Sequence, residues 1–381
     1  MDYNITEVNE WGELNLKENL LRGVYSYGFE NPSPIQKKAI LPIMNGKDVI
    51  AQAQSGTGKT GAFTVSIIQC IDEKLNEVQS LILAPTRELA IQIHTVISKI
   101  GSFTENLKCG LCIGGRSIEQ DVKELEICPQ IVIGTPGRIH DLFRRRKLNS
   151  KTIKLLVLDE ADEMLSVGFK EQVYNIFQFL GNKIQVALFS ATLPLEIQAL
   201  TEKFMRDPVK ILVKTESVTL EGIKQYYVAL ENDSQKYETL KDLFAAITVE
   251  QCIIYCNSIK RVSDLCEALR KDSFPVCCIH SGMEKEERSK AYKEFTTGIS
   301  RVLISSNLTA RGIDVQQVST VINFDIPKDI HTYIHRIGRS GRWGRKGMGI
   351  NFITHRDVRK MKEIEQYYDT QIEELPASIG K

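Results

Sequence analysis

The sequence predicts two tandem α/β domains of similar build, each a mostly parallel sheet covered by helices on both faces, joined by a short linker. Three observations lead there. At about 150 residues per domain, 381 residues make about two and a half domains, so two is the starting count. Short β-branched runs alternate with longer amphipathic stretches almost from end to end, as strand–helix–strand units with right-handed crossovers do. The strand candidates are nearly continuous apolar runs, as strands buried on both faces must be.

In chain order, the first domain, residues 1–213, has strand candidates at 48–53 (DVIAQA), 80–84 (SLILA), 130–134 (QIVIG), 155–159 (LLVLD) and 186–190 (VALFS). Helices are expected between them at 59–70, 88–100 and 138–146. The pattern breaks at DPVKILVKTESVTLEGIKQ, whose Pro, Gly and polar middle place a linker at 214–222. It restarts in the second domain, residues 223–381. Strand candidates there are 252–256 (CIIYC), 276–280 (VCCIH), 302–306 (VLISS), 320–324 (TVINF) and 349–354 (GINFIT). Residues after Tyr368 read as a short tail.

Composition narrows the class. Hydrophobic residues at 42% and charged residues at 25% are ordinary for a globular protein and speak against disorder. Lys plus Arg is 49 and Asp plus Glu 48, a net charge of +1 that excludes a histone-like polybasic chain but leaves room for a local basic groove. Nine cysteines form no disulfide framework, and Cys109–Cys112 is a lone CxxC without a second pair at metal-ligand spacing. Buried thiols in a reducing compartment are expected. The N-terminus is acidic without an apolar signal core, and no run approaches membrane-spanning length. A soluble, cytoplasmic chain without a membrane partner is expected.

Residues 53–60 read AQSGTGKT, after a strand candidate and before a helical pattern, the context a phosphate-binding loop requires. Gly56 and Gly58 let the backbone curl so that its N–H groups face phosphate oxygens, and Ser55 and Thr57 lie in the same binding loop. Lys59 can reach the terminal phosphates and the Thr60 hydroxyl can ligate Mg²⁺. The strict pattern opens with Gly, and here Ala53 stands in its place. Downstream, a strand ends in Asp159, Glu160, Ala161 and Asp162. Alone, an acidic tetrapeptide is usually a solvated helix start. Paired with a phosphate loop, Asp159 stands where a Mg²⁺-organising carboxylate belongs, and Glu160 can orient or deprotonate an attacking water.

In the second domain, 335–342 reads HRIGRSGR, with Arg336, Arg339 and Arg342 at every third position and Gly338 and Gly341 interrupting any long helix. A basic surface turn is the bland reading. The sharper one is a loop that delivers planar guanidinium groups to a phosphate. With the phosphate loop in one domain and the arginines in the other, hydrolysis is expected only on domain closure, with arginine fingers supplied in cis.

Taken together, these residues resemble the DEAD-box ATP-dependent RNA helicases of superfamily 2, whose namesake tetrapeptide is 159–162. The resemblance runs from about Trp11 to about Phe352. It implies two tandem RecA-like domains that bind ATP and Mg²⁺ and act on RNA. GFENPSPIQ at 28–36 resembles the adenine-reading motif, in which Gln36 pairs with the adenine edge, Phe29 stacks on it and Trp11 fills the upstream aromatic position. An amide that both donates and accepts suits that edge. SAT at 190–192 resembles the motif whose Ser190 and Thr192 bond the DEAD carboxylates and couple hydrolysis to strand separation. By the same resemblance Asp314 in ARGID is a ribose contact, Arg311 a nucleotide-side contact, and His335 a link from the nucleotide site to the first domain.

The resemblance also implies RNA-facing residues: Pro85, Thr86 and Arg87 of PTRELA, Gly114 and Gly115, Thr135, Pro136, Gly137 and Arg138 in the first domain, and Arg288 and Ser306 in the second. Hydroxyl, backbone and arginine donors suit phosphate and 2′-OH contacts that carry little base information. Two positions depart from the family pattern. Asn307 replaces a carboxylate expected at an interdomain contact, and Lys285 replaces a Gln near Arg288. Residues 207–225, 311–318 and 370–376 are similar to the translation-initiation members. That implies a monomer on its own and a scaffold protein, initiation-factor-4G-like, that bridges the two domains. An exon-junction-type ATP-gated RNA clamp, with a nuclear setting, and a ribosomal-RNA-processing helicase use the same motifs and stay open. A DNA-directed translocase is disfavoured by the adenine-reading motif. RRRK at 144–147 reads as a solvated helix end.

Overall fold

In the computed structural model, which describes residues 7–53, 56–166, 168–181, 183–212, 223–246, 251–306, 318–340 and 347–376, the chain divides into two units, Met1–Val213 and Lys214–Lys381. The expected linker at 214–222 lies outside the described residues, as do Ser55, Asn307, Arg311, Asp314, Arg342 and the side chain of Lys285.

The first unit runs α1 (Glu18–Ser26), α2 (Pro34–Met44), β1 (Val49–Gln52), α3 (Lys59–Cys70), β2 (Ser80–Leu83), α4 (Arg87–Ile100), β3 (Cys109–Cys112), α5 (Ile118–Glu126), β4 (Ile131–Gly134), α6 (Pro136–Arg144), β5 (Leu155–Leu158), α7 (Ala161–Ser166), α8 (Lys170–Leu180), β6 (Gln185–Ser190), α9 (Leu195–Phe204) and β7 (Val209–Leu212). Its sheet order is β3-β4-β2-β5-β6-β1-β7, and every recorded pairing is parallel. Alternate residues along a strand serve opposite faces. Val49 and Ala51 join one core with helices α1–α4, whereas Ile50 joins another with α6–α9.

The second unit runs β8 (Ile223–Leu230), α10 (Lys236–Ala246), β9 (Cys252–Tyr255), α11 (Ile259–Lys271), β10 (Val276–Ile279), α12 (Lys285–Thr296), β11 (Val302–Ser305), β12 (Thr320–Asn323), α13 (Ile330–Ile337), β13 (Gly347–Thr354), α14 (Val358–Tyr368) and β14 (Glu373–Glu374). Its order, β10-β11-β9-β12-β13-β8-β14, is the first order with every label raised by seven, again with parallel pairings. Among the described residues, no helix is long and apolar enough to cross a membrane.

The apolar runs become strands as expected, and α3 spans 59–70 as read. Strands β3, β7, β8 and β14 escape sequence reading. β3 carries Gly110 and two cysteines at one sheet edge, which leaves it no β-branched run. β7 lies inside the stretch read as the approach to the linker. It is an edge strand whose residues alternate buried and exposed, so Lys210 interrupts its apolar signal. β8 is broken by Lys224 and Gln225. Helix α6 starts two residues before the expected 138, because Pro136 is preorganised for a first helical turn. Arg144 to Lys147 are exposed at its end, with Arg144 and Arg145 bonded to Asp141.

Candidate functional site

A parallel sheet sends every strand's outgoing loop from the same edge, and ligands of such sheets bind there. In the first unit β1, β6 and β5 are neighbours, so the loops holding Lys59, Ser190 and Asp159 leave side by side. The phosphate loop turns on Gly58, whose φ of 98° belongs to the left-handed region. A Cβ at Gly58 or Gly61 would sit 2.9 or 2.5 Å from Gln36 Nε2, so the first turn of α3 leaves no room for a side chain against α2. Gln36 Oε1 accepts the Ser33 N–H at 2.7 Å, and Nε2 donates to the Gly58 carbonyl at 3.2 Å. The amide therefore braces the phosphate loop and keeps one further N–H and one further lone pair.

Phe29 is half-buried beside this turn. Trp11 is 1% exposed, donates its indole N–H to the Phe29 carbonyl at 3.0 Å and stacks on the Phe29 ring at 6.2 Å between centroids. Trp11 is thus a prop for Phe29, its one N–H donor committed to that residue's carbonyl.

Lys59 is 6% exposed and its Nζ makes no hydrogen bond among the described residues. A buried ammonium without partners is costly unless an anion arrives, and it stands at a helix N-terminus that also favours one. Thr60, next in the helix, is half-buried. Burial pushes the Asp159 carboxyl up to about 7, with Lys59 pulling against that shift and Glu160 adding to it. Glu160 holds a φ of 51°, strained for a residue with a Cβ, and its N–H donates to Asp159 Oδ1 at 3.0 Å. Two adjacent buried carboxyls suit a cation. Among the described residues no group of three or more His, Cys, Asp or Glu converges on a metal. Mg²⁺ takes one or two carboxylates and completes its shell with water and phosphate, so the Asp159–Glu160 pair has the chemistry to hold it.

Asp162 ties the strand ends together. Its N–H donates to Ser190 Oγ at 3.2 Å, and Thr192 Oγ1 donates to Asp162 Oδ2 at 2.8 Å. The Ser190 carbonyl accepts the Ala53 N–H at 3.0 Å. The phosphate loop, the acidic tetrapeptide and the SAT segment are therefore one bonded unit.

The residues expected to face RNA occupy the other half of the same edge, after β2, β4 and β3. Pro85 and Thr86 are buried, and Thr86 Oγ1 caps α4 by accepting the Leu89 N–H at 3.2 Å. The Arg87 guanidinium lies against Gly115, where φ is 82° and a Cβ would come within 2.4 Å of Nη1. The Gly114 N–H donates to Thr135 Oγ1 at 3.4 Å. Pro136 opens α6, and Gly137 is exposed with open space around it. Arg138 behaves differently. Its guanidinium pairs with the fully buried Asp121 and donates to the Arg116 carbonyl at 2.7 Å. Burial pushes the Asp121 carboxyl up, while the bond from Arg138 pulls it down. Arg138 commits one N–H of each terminal nitrogen to Asp121 and the Arg116 carbonyl and so braces the turn of Thr135–Gly137.

Known proteins resemble this chain in sequence and fold. The profile of the DEAD/DEAH box helicase domain matches residues 33–200, and that of the helicase conserved C-terminal domain matches 235–344. Proteins named ATP-dependent RNA helicase eIF4A from Pyricularia oryzae and Neurospora crassa are each 55% identical over 373 residues, covering 98% of this chain and 94% of theirs. The structure of S. cerevisiae Dbp5 bound to RNA and ADP BeF3 is 35% identical, with a TM-score of 0.90 over 97% of this chain and 96% of that one. The chain belongs to the DEAD-box helicase family.

For this DEAD-box protein the second unit sorts the arginine motif. Arg336 lies on α13, fully buried. It donates to Asp325 O at 2.7 Å, Asn257 Oδ1 at 2.7 Å and Asn323 Oδ1 at 3.1 Å, over the Tyr255 ring. Burial draws its guanidinium down to about 10. It anchors α13 and is removed from the set of phosphate-seeking arginines. His335 and Arg339 are also buried, and Arg339 Nε donates to the His335 carbonyl at 3.1 Å. Ser306 follows β11, while Ser305 Oγ donates to the Ile279 carbonyl at 2.8 Å. Arg288 is half-buried on α12.

Sequence reasoning missed Ser33, Arg116 and Asp121, while the Ser190 and Thr192 bonds expected to the acidic tetrapeptide fall on Asp162. Ser33 was findable: S-P-I-Q is a capping box with Pro at the first helical position. Asp121 carries no such signal, because its partner Arg138 is brought to it only by the pairing of β3 with β4.

Proposed function

We propose that the chain is an ATP-dependent RNA helicase that hydrolyses ATP to ADP and phosphate, locally unwinding or remodelling RNA in translation initiation. One observation carries this reading. A single sheet edge holds a buried Lys59, whose Nζ makes no hydrogen bond among the described residues, beside the Asp159–Glu160 pair on its nucleotide half and backbone-reading donors on its other half. The extended match to relatives named eIF4A supports it.

In this reading Ser55, Gly56, Thr57, Gly58 and Lys59 hold the phosphates, and Phe29 and Gln36 orient the base, with Arg311 and Asp314 contributing from the second domain. Glu160 orients the attacking water and takes its proton. Arg339 and Arg342 stabilise charge that builds on the γ-phosphoryl oxygens. Thr60 and Asp159 would hold Mg²⁺, which when bound neutralises phosphate charge. The Asp162–Ser190–Thr192 bonds carry the state of the acidic tetrapeptide to β6. Thr86, Arg87, Gly114, Gly115, Thr135 and Gly137 of the first domain, with Arg288 and Ser306 of the second, take the RNA backbone. The working setting is the cytoplasm, with an initiation-factor-4G-like scaffold as partner.

The test is steady-state ATPase with and without single-stranded RNA, with Glu160→Gln as control. RNA is expected to stimulate turnover. The variant is expected to lose turnover and keep ATP-dependent RNA binding. Normal turnover in the variant would overturn the role of Glu160. Long-lived RNA retention by the native chain without turnover would replace the helicase with a clamp.

A further inference from the structure

Strands covered on both faces of a parallel sheet are ordinarily apolar throughout. Three strands of the second unit break that rule under α13. Gln225 of β8, Asn323 of β12 and Asn351 of β13 are all buried. Strand alternation puts them on the face that Val321, Ile353 and Tyr227 share with the apolar residues of α13. Asn323 and Asn351 stand opposite each other in the β12–β13 register. Helix α13 reaches this row with Tyr333 and Arg336, which are three residues apart and so lie on one face of the helix. Arg336 donates to Asn323 Oδ1 at 3.1 Å and to Asn257 Oδ1 at 2.7 Å. Asn323 Nδ2 donates to Asn351 Oδ1 at 2.8 Å, and Asn351 Nδ2 donates to the Tyr333 hydroxyl at 3.3 Å. The Tyr333 hydroxyl donates to Gln225 Oε1 at 2.8 Å, and Gln225 Nε2 donates to Thr370 Oγ1 at 2.8 Å. An unbroken line of hydrogen bonds thus runs beneath α13 from Asn257 to Thr370. Thr370 belongs to the segment that the sequence presents as a short tail. The structure ties that segment down: the Ile372 N–H donates to Glu365 Oε1 at 2.8 Å, the Leu375 N–H donates to the Tyr227 carbonyl at 2.9 Å, and the Ile372 side chain is buried.

Burial of surface does not account for this line. Apolar side chains of similar shape would fill the same volume without the cost of stripping water from each polar group. What the hydrogen bonds add is direction. Ile334 and Ile337 hold α13 on its core, but apolar burial is non-directional and leaves the roll of the helix open. Bonds at both Tyr333 and Arg336 fix roll and height together. Arg339 inherits that placement, because its N–H donates to the Arg336 carbonyl at 3.2 Å and its Nε to the His335 carbonyl at 3.1 Å. A guanidinium that must meet a phosphoryl group is sensitive to such placement, since an error of about 1 Å can cost about a hundredfold in rate. We propose that Tyr333 is a positioning residue for ATP hydrolysis: its hydroxyl, held by Asn351 and Gln225 and through Gln225 by Thr370, sets the roll of α13 and so aims Arg339. The proposal rests on the reading of Arg339 as a group that stabilises charge on the γ-phosphoryl oxygens.

The test compares the full native chain with Tyr333→Phe, Thr370→Val and Thr370→Ser. Thr370 is half-buried, and Val matches its shape without the hydroxyl. In ATPase assays at saturating RNA, Tyr333→Phe should lower kcat about tenfold and leave the KM for ATP as it was. Thr370→Val should lower kcat in the same way, and Thr370→Ser, which keeps the hydroxyl, should restore it. In parallel, nuclear magnetic resonance of chains carrying isotope-labelled arginine follows the Arg339 Nε–H signal, assigned as the one lost in Arg339→Lys. That signal should shift or split in Tyr333→Phe and Thr370→Val and match the native one in Thr370→Ser. Native kcat in Tyr333→Phe, a loss shared equally by Thr370→Ser, or an unmoved Arg339 signal overturns the proposal, even where urea unfolding shows reduced stability. The arginine spectrum decides the matter without turnover, so failure of the helicase reading appears separately, as a native chain that RNA does not stimulate.

Discussion

Lys59 concentrates the chemistry of the nucleotide half in one side chain, because its ammonium is buried and waits for an anion. Lys59→Ala should weaken ATP binding by about 3 kcal/mol, roughly a hundredfold, read by titration with a fluorescent nucleotide. Gly115→Ala tests the other half. Its φ of 82° costs a side chain about 1 kcal/mol or more, and the added Cβ strikes the Arg87 guanidinium. The RNA concentration for half-maximal ATPase stimulation should rise while nucleotide binding without RNA stays as it was. Arg336 teaches the opposite lesson. By type and spacing it looks like a phosphate ligand, yet its donors are satisfied inside the second unit. Arg336→Ala should therefore destabilise that unit by about 3 kcal/mol or more, seen in urea unfolding, because Asn257 and Asn323 lose their partner. Residue type was legible in the sequence, and residue environment was not.

At the scale of elements, helix α5 shows what a buried ion pair can do without touching a ligand. Asp121 of α5 pairs with Arg138 of α6 and so locks the loops after β3 and β4 together. Asp121→Ala strands the guanidinium and should cost about 3 kcal/mol of stability, as breaking a buried pair does. It should also raise the RNA concentration needed for half-stimulation, with little change in turnover at saturating RNA. A purely structural Asp121 would move the melting temperature alone. Helices with a periodic apolar face and strands with unbroken apolar runs were readable in advance. Strands β3, β7 and β8 were not, because sheet edges and polar interruptions relax the apolar pattern on which such reading depends.

At the scale of the whole molecule, each unit has its own pair of cores and the same strand order, so each carries its own electrostatics. In the second unit, burial pushes the Asp233 carboxyl up, but bonds from Lys236 and Arg261 outweigh it and hold the group below its ordinary value. A depressed carboxyl contributes stability above its unfolded value, about 4, and that contribution fades as pH falls through the folded value. Urea unfolding along a falling pH series should show Asp233→Asn less stable than the native chain at pH 7, with the difference shrinking as pH falls through the folded value. By itself the sequence determined the two-domain α/β plan, the phosphate loop and the family, because local spacing and apolar periodicity are properties of neighbouring residues. Tertiary structure alone decided the strand order, which puts the loops proposed to hold nucleotide on β5, β6 and β1 and those proposed to face RNA on β3, β4 and β2. It also decided that Trp11, Arg138 and Arg336 bond inside their units while Lys59 Nζ makes no hydrogen bond among the described residues. The physical reason is that a side chain's free energy depends on which distant groups reach it, and a parallel sheet joins segments that lie far apart along the chain.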